Sequence, residues 1–115
     1  MPLKIEHREV KPGVVVVALA GRVMLGDESA KIESLVQQLL QEGRSRVVFD
    51  LAGVTHIDST GIGRFISCLN KTRMAGGSML MANASGQVRD AFRVTRLDTV
   101  FQFVGDVDTA LQGLS

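Results

Sequence analysis

The chain has 115 residues, of which 45% are apolar and 22% charged, and its formal net charge is +1. This composition excludes a disordered chain, and the length suits one domain with a single modest core. Because the thirteen Lys and Arg residues are scattered and Trp and Tyr are absent, we expect no nucleic-acid partner.

The single cysteine, Cys68, excludes an intrachain disulfide, and we assign it to the core. No paired Cys/His spacing typical of a metal site is present, so the sequence predicts neither a metal nor a cofactor. Residues 1–10 are charged and lack the apolar segment of a secretory signal. The longest apolar run, residues 14–20, is too short to span a bilayer. We therefore expect no membrane span and a cytoplasmic location.

The first elements can be predicted in chain order. Residues 3–8 alternate between apolar and polar side chains, as in an edge strand. After a Lys-Pro-Gly turn, residues 14–20 form an apolar strand, which should pair antiparallel with the first. We interpret residues 21–26 as a loop. A helix with Asp27 as N-cap follows, and Gly43 ends it.

A second apolar run, residues 47–51, is typical of a strand buried on both faces. A turn containing Gly53 should follow it. From Ile62 onward, apolar residues recur at helical spacing, which predicts a helix over residues 60–74. Asp58 and Ser59 lie at the junction, where cap residues are expected.

The remaining chain predicts a strand over residues 78–82, a helix capped by Ser85, a weak strand over residues 100–103 and a helix over residues 107–114. The order is β-β-α-β-α-β-α-β-α, which favours right-handed crossovers. We predict one α/β domain over residues 1–115. Its four- to five-stranded sheet should be mixed, mostly parallel and covered by helices.

Catalytic interpretations of the junction find little support. Ser59 is not part of a G-x-S-x-G nucleophile elbow, and the nearest base, His56, has no evident group to orient it. Gly61 and Gly63 begin a G-x-G-x-x-G pattern, but Ile66 occupies the final glycine position. We expect a protein that is not an enzyme.

Two interpretations of Ser59 stay open. As a helix cap it would contribute about 1 kcal/mol of stability and need no further role. As a phosphoacceptor it would place close to two negative charges beside Asp58 and weaken any interface formed there. The residues alone favour the cap.

A longer pattern surrounds the junction: hydrophobic–Asp–Leu, a spacer, then hydrophobic–Asp–Ser–Ser or Thr–Gly–hydrophobic–Gly. The chain supplies it with Asp50, Leu51, Val54, Ile57, Asp58, Ser59, Thr60, Gly61, Ile62 and Gly63. In this pattern the chain resembles the anti-sigma factor antagonist family, whose fold is the STAS domain. The likeness extends over nearly the whole chain.

The resemblance implies a one-domain, non-enzymatic α/β protein that binds an anti-sigma factor, usually a serine kinase that uses ATP and Mg²⁺. The kinase would phosphorylate Ser59 and thereby end the binding, and a PP2C-type phosphatase would reverse it. Asp58 would place the hydroxyl or shape the surface that the partner contacts. We expect a monomer or a weak dimer.

The predicted partner surface combines the loop before the first helix, the turn before the junction and the start of the second helix. Its residues are Met24, Gly26, His56, Asp58, Thr60, Gly61, Ile62 and Arg64. Met24 occupies a position where switch members of the family often carry Asp. It is either an exposed apolar anchor or a loop side chain packed onto the first helix. The alternative function is a STAS adaptor that is not phosphorylated, or an accessory subunit of a lipid or solute transport system.

Overall fold

A computed structural model describes residues 2–114, which form five strands and four helices within that range. The strands are β1 (Lys4–Lys11), β2 (Val14–Val23), β3 (Arg46–Ile57), β4 (Ser78–Ala82) and β5 (Gln102–Val104). The helices are α1 (Asp27–Gln41), α2 (Ser59–Met74), α3 (Gly86–Val94) and α4 (Val107–Gly113). No helix in this range is long and apolar enough to cross a bilayer.

The strands form one sheet in the order β1-β2-β3-β4-β5. β1 pairs antiparallel with β2, and the other three pairings are parallel. This arrangement confirms the predicted α/β class with a mixed, mostly parallel sheet. It also follows from the chain order, because a tight turn joins β1 to β2 whereas helices connect the later strands.

Helices α1, α2 and α3 cover one face of the sheet, and α4 packs on the other. Alternation along β3 sends Phe49 to the first face and Val48 to the second. The Phe49 and Phe65 rings meet edge to face with centroids 5.1 Å apart, which locks α2 onto β3. Cys68 is fully buried in this layer, as predicted.

Three strands are longer than predicted. β1 continues to Lys11, β2 continues to Val23 into the expected loop, and β3 continues to Ile57 through the expected turn at Gly53. The register shifts where Ala20 pairs with Gly53, and a Cβ at Gly53 would lie 2.8 Å from the Ala20 Cβ. Gly53 therefore permits a close approach of two strands within a bulge, and the prediction of a turn there was wrong.

The helix starts also differ from the prediction at two places. Gly26, with a φ of 143°, is the N-cap of α1, and Asp27 is the first helical residue rather than the cap. Helix α2 begins at Ser59, one residue earlier than predicted, with Asp58 as its N-cap. Ser85 caps α3 as predicted by accepting a hydrogen bond from the Val88 N–H.

Candidate functional site: the junction of β3 and α2

The parallel pairing of β2 with β3 places the ends of both strands at one edge of the sheet. The register pairs Val23 with Ile57, and the Asp58 N–H donates to the Val23 carbonyl oxygen at 3.4 Å. The loop of residues 24–26 that follows β2 therefore lies beside the start of α2. Two segments more than thirty residues apart in sequence share one surface.

Asp58 joins these two segments through a single carboxylate. Its Oδ1 accepts a hydrogen bond from the Gly61 N–H at 2.8 Å and thereby caps α2. Its Oδ2 accepts a second one from the Leu25 N–H at 2.9 Å. The side chain thus fixes the first turn of α2 and the loop after β2 at the same time.

These hydrogen bonds keep Asp58 ionised. Partial burial by itself raises the pKa of Asp58, but the backbone N–H donors of Gly61 and Leu25 outweigh it, and the pKa lies below its ordinary value. A negative charge therefore stands next to Ser59 at neutral pH.

Ser59 is exposed and is the first residue of α2. Because Asp58 provides the cap, the interpretation of Ser59 as the N-cap was wrong. The hydroxyl lies on the surface at the positive end of a helix, where a phosphate is well tolerated. Position and exposure are both compatible with modification.

Gly61 lets the first turn of α2 lie directly on the end of β2. A Cβ at this position would overlap the Val23 carbonyl oxygen and crowd the Ile57 side chain. Gly61 is buried, and Ile62 is only 5% exposed within the core. Their assignment to the partner surface is therefore corrected: Gly61 provides close packing and Ile62 belongs to the core.

Arg64 is also occupied within the molecule. Its Nε donates to Ser29 Oγ at 3.1 Å, and Nη1 lies 3.2 Å from Glu33 Oε1. Its Nη2 donates to the Gly26 carbonyl oxygen at 3.4 Å. The side chains of Arg64 and Glu33 are each 25% exposed. Arg64 therefore ties α2 to α1 and to the loop, and its contact with a partner stays a prediction.

Glu33 is the centre of this link between the two helices. Besides Arg64, it accepts a hydrogen bond from Ser67 Oγ at 3.1 Å and lies 3.7 Å from Lys71 Nζ. Burial raises the pKa of Glu33, but the hydrogen bonds from Arg64 and Ser67 and the nearby cations outweigh this, so the pKa is lowered. Nothing in the sequence spacing indicated this cluster.

The exposed part of the site is apolar on one side. Met24 is 36% exposed, which favours the exposed alternative, and Leu25 is 79% exposed. An open groove of about 480 Å³ adjoins them and Asp58. The sequence prediction included this loop in the partner surface without singling out Leu25, because Leu25 follows the apolar residues Val23 and Met24 and does not stand out from them.

The other predicted positions complete the surface. Gly26, His56 and Ser59 are exposed, and Thr60 is half-buried. His56 Nδ1 lies 3.1 Å from Thr55 Oγ1 on the neighbouring residue. Within residues 2–114, no three His, Cys, Asp or Glu residues come together as metal ligands. The surface at the junction presents a hydroxyl, a fixed carboxylate and apolar side chains.

Comparison with known proteins gives two findings. The family model of the STAS domain matches residues 7–110. The fold is similar to SpoIIAA, an anti-sigma factor antagonist, in its unphosphorylated form (TM-score 0.81, 17% identity, 96% of each chain covered). It is also similar to the phosphorylated form of SpoIIAA from Bacillus (TM-score 0.76, 16% identity, 97% of this chain and 100% of that chain).

Two further solved structures have a similar fold. An anti-sigma factor antagonist from Mycobacterium paratuberculosis has a TM-score of 0.80 at 20% identity, with 96% of this chain and 92% of that chain covered. The murine anion transporter Slc26a9 has a TM-score of 0.62 at 18% identity, with 87% of this chain but 17% of that chain covered. At these identities the likeness establishes the fold.

Proposed function

Because the chain belongs to the STAS domain family, we propose that it is an anti-sigma factor antagonist whose partner binding is ended by phosphorylation of Ser59. The observation that carries this proposal is the exposed Ser59 at the start of α2, directly after the ionised Asp58. The proposed partner is an anti-sigma factor with serine kinase activity, and a PP2C-type phosphatase restores the unmodified form.

In the proposed reaction the γ-phosphoryl group of ATP passes to Ser59 Oγ, the hydroxyl loses its proton and ADP leaves. The product carries close to two additional negative charges beside Asp58. In an interface those charges are either desolvated without a partner or face a like charge. A penalty of roughly 3–5 kcal/mol corresponds to a loss of about two to four orders of magnitude in affinity.

The proposed contact surface consists of five exposed residues around the junction and the half-buried Thr60; the exposed ones are Met24, Leu25, Gly26, His56 and Ser59. Its apolar part suits an apolar patch on a protein partner, because the Leu25 side chain is largely exposed and the loop is ordered by Asp58. A monomer or a weak dimer remains our expectation.

The test captures partners from an extract of the source cells with the wild-type chain and with Ser59→Ala and Ser59→Asp as baits. We expect the wild type and Ser59→Ala to retain a serine kinase that Ser59→Asp loses by at least about a hundredfold in affinity. Incubation of the captured kinase with ATP and Mg²⁺ should add one phosphoryl group at Ser59, as located by mass spectrometry.

Ser85 provides a matched control, because it is also an exposed serine at a helix start. Ser85→Asp should bind like the wild type and Ser85 should stay unmodified. Modification at Thr60 alone, or at no residue, would contradict the proposal.

A STAS adaptor without phosphorylation, or an accessory subunit of a lipid or solute transport system, is the second candidate. Met24 favours it, since switch members of the family often carry an acidic residue there. Under this alternative the bait captures a membrane transport ATPase, and Ser59→Asp retains it as well as the wild type does.

A further inference from the structure

The loop after β2 is held at two successive residues by side chains from the start of α2. Asp58 Oδ2 accepts from the Leu25 N–H, and Arg64 Nη2 donates to the Gly26 carbonyl oxygen. No side-chain hydrogen bond caps α1 at Gly26 itself. The Gly26 carbonyl oxygen also accepts from Ser29 Oγ of α1 at 3.1 Å. The backbone that carries the 79% exposed Leu25 side chain is therefore held by α2 as well as by α1.

The hydrogen bond to Leu25 is close to the proposed phosphorylation site. Asp58 directly precedes Ser59, and its carboxylate lies among the N–H groups at the start of α2. A phosphate on Ser59 would bring three strong acceptor oxygens to the same N–H groups. It would also repel the Asp58 carboxylate, because both groups are anionic and only one residue apart.

We propose that Asp58 is a positioning residue that presents Leu25 to an apolar pocket of the protein partner, and that a phosphate on Ser59 releases Leu25 from Asp58. The identity of Ser59 as the modified residue rests on the proposed function. Phosphorylation would then weaken partner binding in two ways. The phosphate on Ser59 adds an unfavourable charge to the interface, and Leu25 is no longer held in position for its apolar contact.

The two roles of Asp58 can be separated by substitution. In Asp58→Asn, one side-chain oxygen remains to cap α2, but the amide nitrogen that replaces the other cannot accept a hydrogen bond from Leu25. Asp58→Ala removes both acceptors. Asp106→Ala is the matched control, since Asp106 caps α4 through the Thr109 N–H.

The measurement is amide hydrogen exchange of the full chain by NMR, at Leu25 and at Gly61. We expect Leu25 to exchange at least about tenfold faster in both Asp58 variants, the factor for losing a hydrogen bond to a charged acceptor. Gly61 should lose protection in Asp58→Ala, whereas Asp106→Ala should change neither residue. Unchanged exchange at Leu25 in Asp58→Ala would overturn the positioning role.

The effect of the phosphate is tested with phosphoserine incorporated at position 59 during synthesis, so that no kinase is needed. Phosphoserine at the exposed position 34 on α1 serves as the charge control. We expect faster exchange at Leu25 with the modification at 59 and no change with that at 34. Equal exchange at Leu25 in the modified and unmodified chains would overturn the proposed release.

The exchange rate at Leu25 is measured on the isolated chain and therefore does not depend on the identity of the partner. If a kinase modifies Ser59 and Leu25 stays protected, the inference fails while the proposed function stands. If no kinase modifies Ser59 and the incorporated phosphate still frees Leu25, the proposed function fails while the coupling through Asp58 stands.

Discussion

Two helices of this protein begin with the same chemistry in different surroundings. Asp58 caps α2 and Asp106 caps α4, and in each case Oδ1 accepts from the N–H three residues later at 2.8 Å. Asp58 also accepts from the Leu25 N–H, whereas Asp106 is exposed at the start of a seven-residue helix. A cap alone stabilises its own helix, while a cap with a second acceptor bond fixes two segments relative to each other.

The residue whose N–H donates to the capping carboxylate also differs in burial between the two helices. At α2 it is Gly61, which is buried against the Val23 carbonyl oxygen, and at α4 it is Thr109, which is exposed. The start of α2 is therefore built against the sheet, and the start of α4 is open to solvent. The comparison can be tested by substitutions, taken here in order of their effect on the free energy of unfolding.

The largest effect is expected for Gly61→Ala. The added Cβ overlaps the backbone of β2, which has little freedom to move, so we expect the free energy of unfolding to fall by about 3 kcal/mol. Urea denaturation of the wild type and the variant measures this change in the free energy of unfolding.

Gly63→Ala is the matched control for this substitution. Gly63 lies in the same helix with open space where its Cβ would be, so alanine should raise stability by roughly 0.5–1 kcal/mol. Equal effects of the two substitutions would contradict the close packing of α2 on β2.

Asp58→Ala should follow, with a loss of about 2 kcal/mol, because a helix cap and a hydrogen bond to a charged acceptor disappear together. Asp106→Ala removes a cap and the hydrogen bond from the Thr109 hydroxyl, both within one exposed helix start, and should lower the thermal midpoint by clearly less. Thermal unfolding of both variants at neutral pH makes the comparison, and equal shifts would show that the Leu25 hydrogen bond contributes nothing.

The pH dependence of stability gives a third test. The pKa of Asp58 is lowered in the folded protein from an ordinary value of 3.8, so its contribution is fully present above that pH. It is lost as the pH falls through the lower, folded-state pKa. We expect the difference in urea midpoint between wild type and Asp58→Asn to shrink steadily under acidification below 3.8.

Asp106 provides a second site at which the direction of this pH dependence can be checked. The Thr109 N–H, followed by the Thr109 hydroxyl, lowers the pKa of Asp106. The stability difference between wild type and Asp106→Asn should therefore also shrink in acid. A difference that grew on acidification would contradict the assignment at either cap.

Leu25→Ala should have the smallest effect on stability, within about 0.5 kcal/mol, because the side chain is 79% exposed. Its effect on partner affinity should nevertheless be large. Met74→Ala is the control: Met74 is 88% exposed but lies at the far end of α2. Calorimetric titration with the captured kinase should show weaker binding for Leu25→Ala alone.

The sequence predicted most of the architecture because its signals are local. Apolar runs and helical stripes identified the strands and helices in order. The tight turn between the first two strands indicated their antiparallel pairing, and the helices between the later strands indicated parallel pairings. The residue pair at the junction, Asp58 and Ser59, was also recognisable from its position before a helical stripe. The predicted ends of β2 and β3 were wrong at Gly21 and Gly53. A glycine in a bulge and a glycine in a turn give the same sequence signal when the neighbouring strand is not known.

The errors within the site have a different origin. The hydrogen bonds of Arg64 with Ser29 and Glu33 and of Asp58 with Leu25 join residues 31 to 35 positions apart, which no periodicity reveals. Ile62 is the opposite case. It belongs to the apolar stripe of α2, so the helical spacing already indicated burial, and only the resemblance to a family motif suggested otherwise.

The loop between β2 and α1 contains three residues, 24–26, and both of its ends are fixed. Val23 is paired within the sheet, and Gly26 adopts a backbone conformation that few other residues tolerate. The length of this connection is therefore constrained, whereas the side chains at 24 and 25 are 36% and 79% exposed, so that replacing Leu25 in particular costs little stability. If the proposed contact surface is correct, substitutions at positions 24 and 25 would change the choice of partner without rearranging any helix or strand.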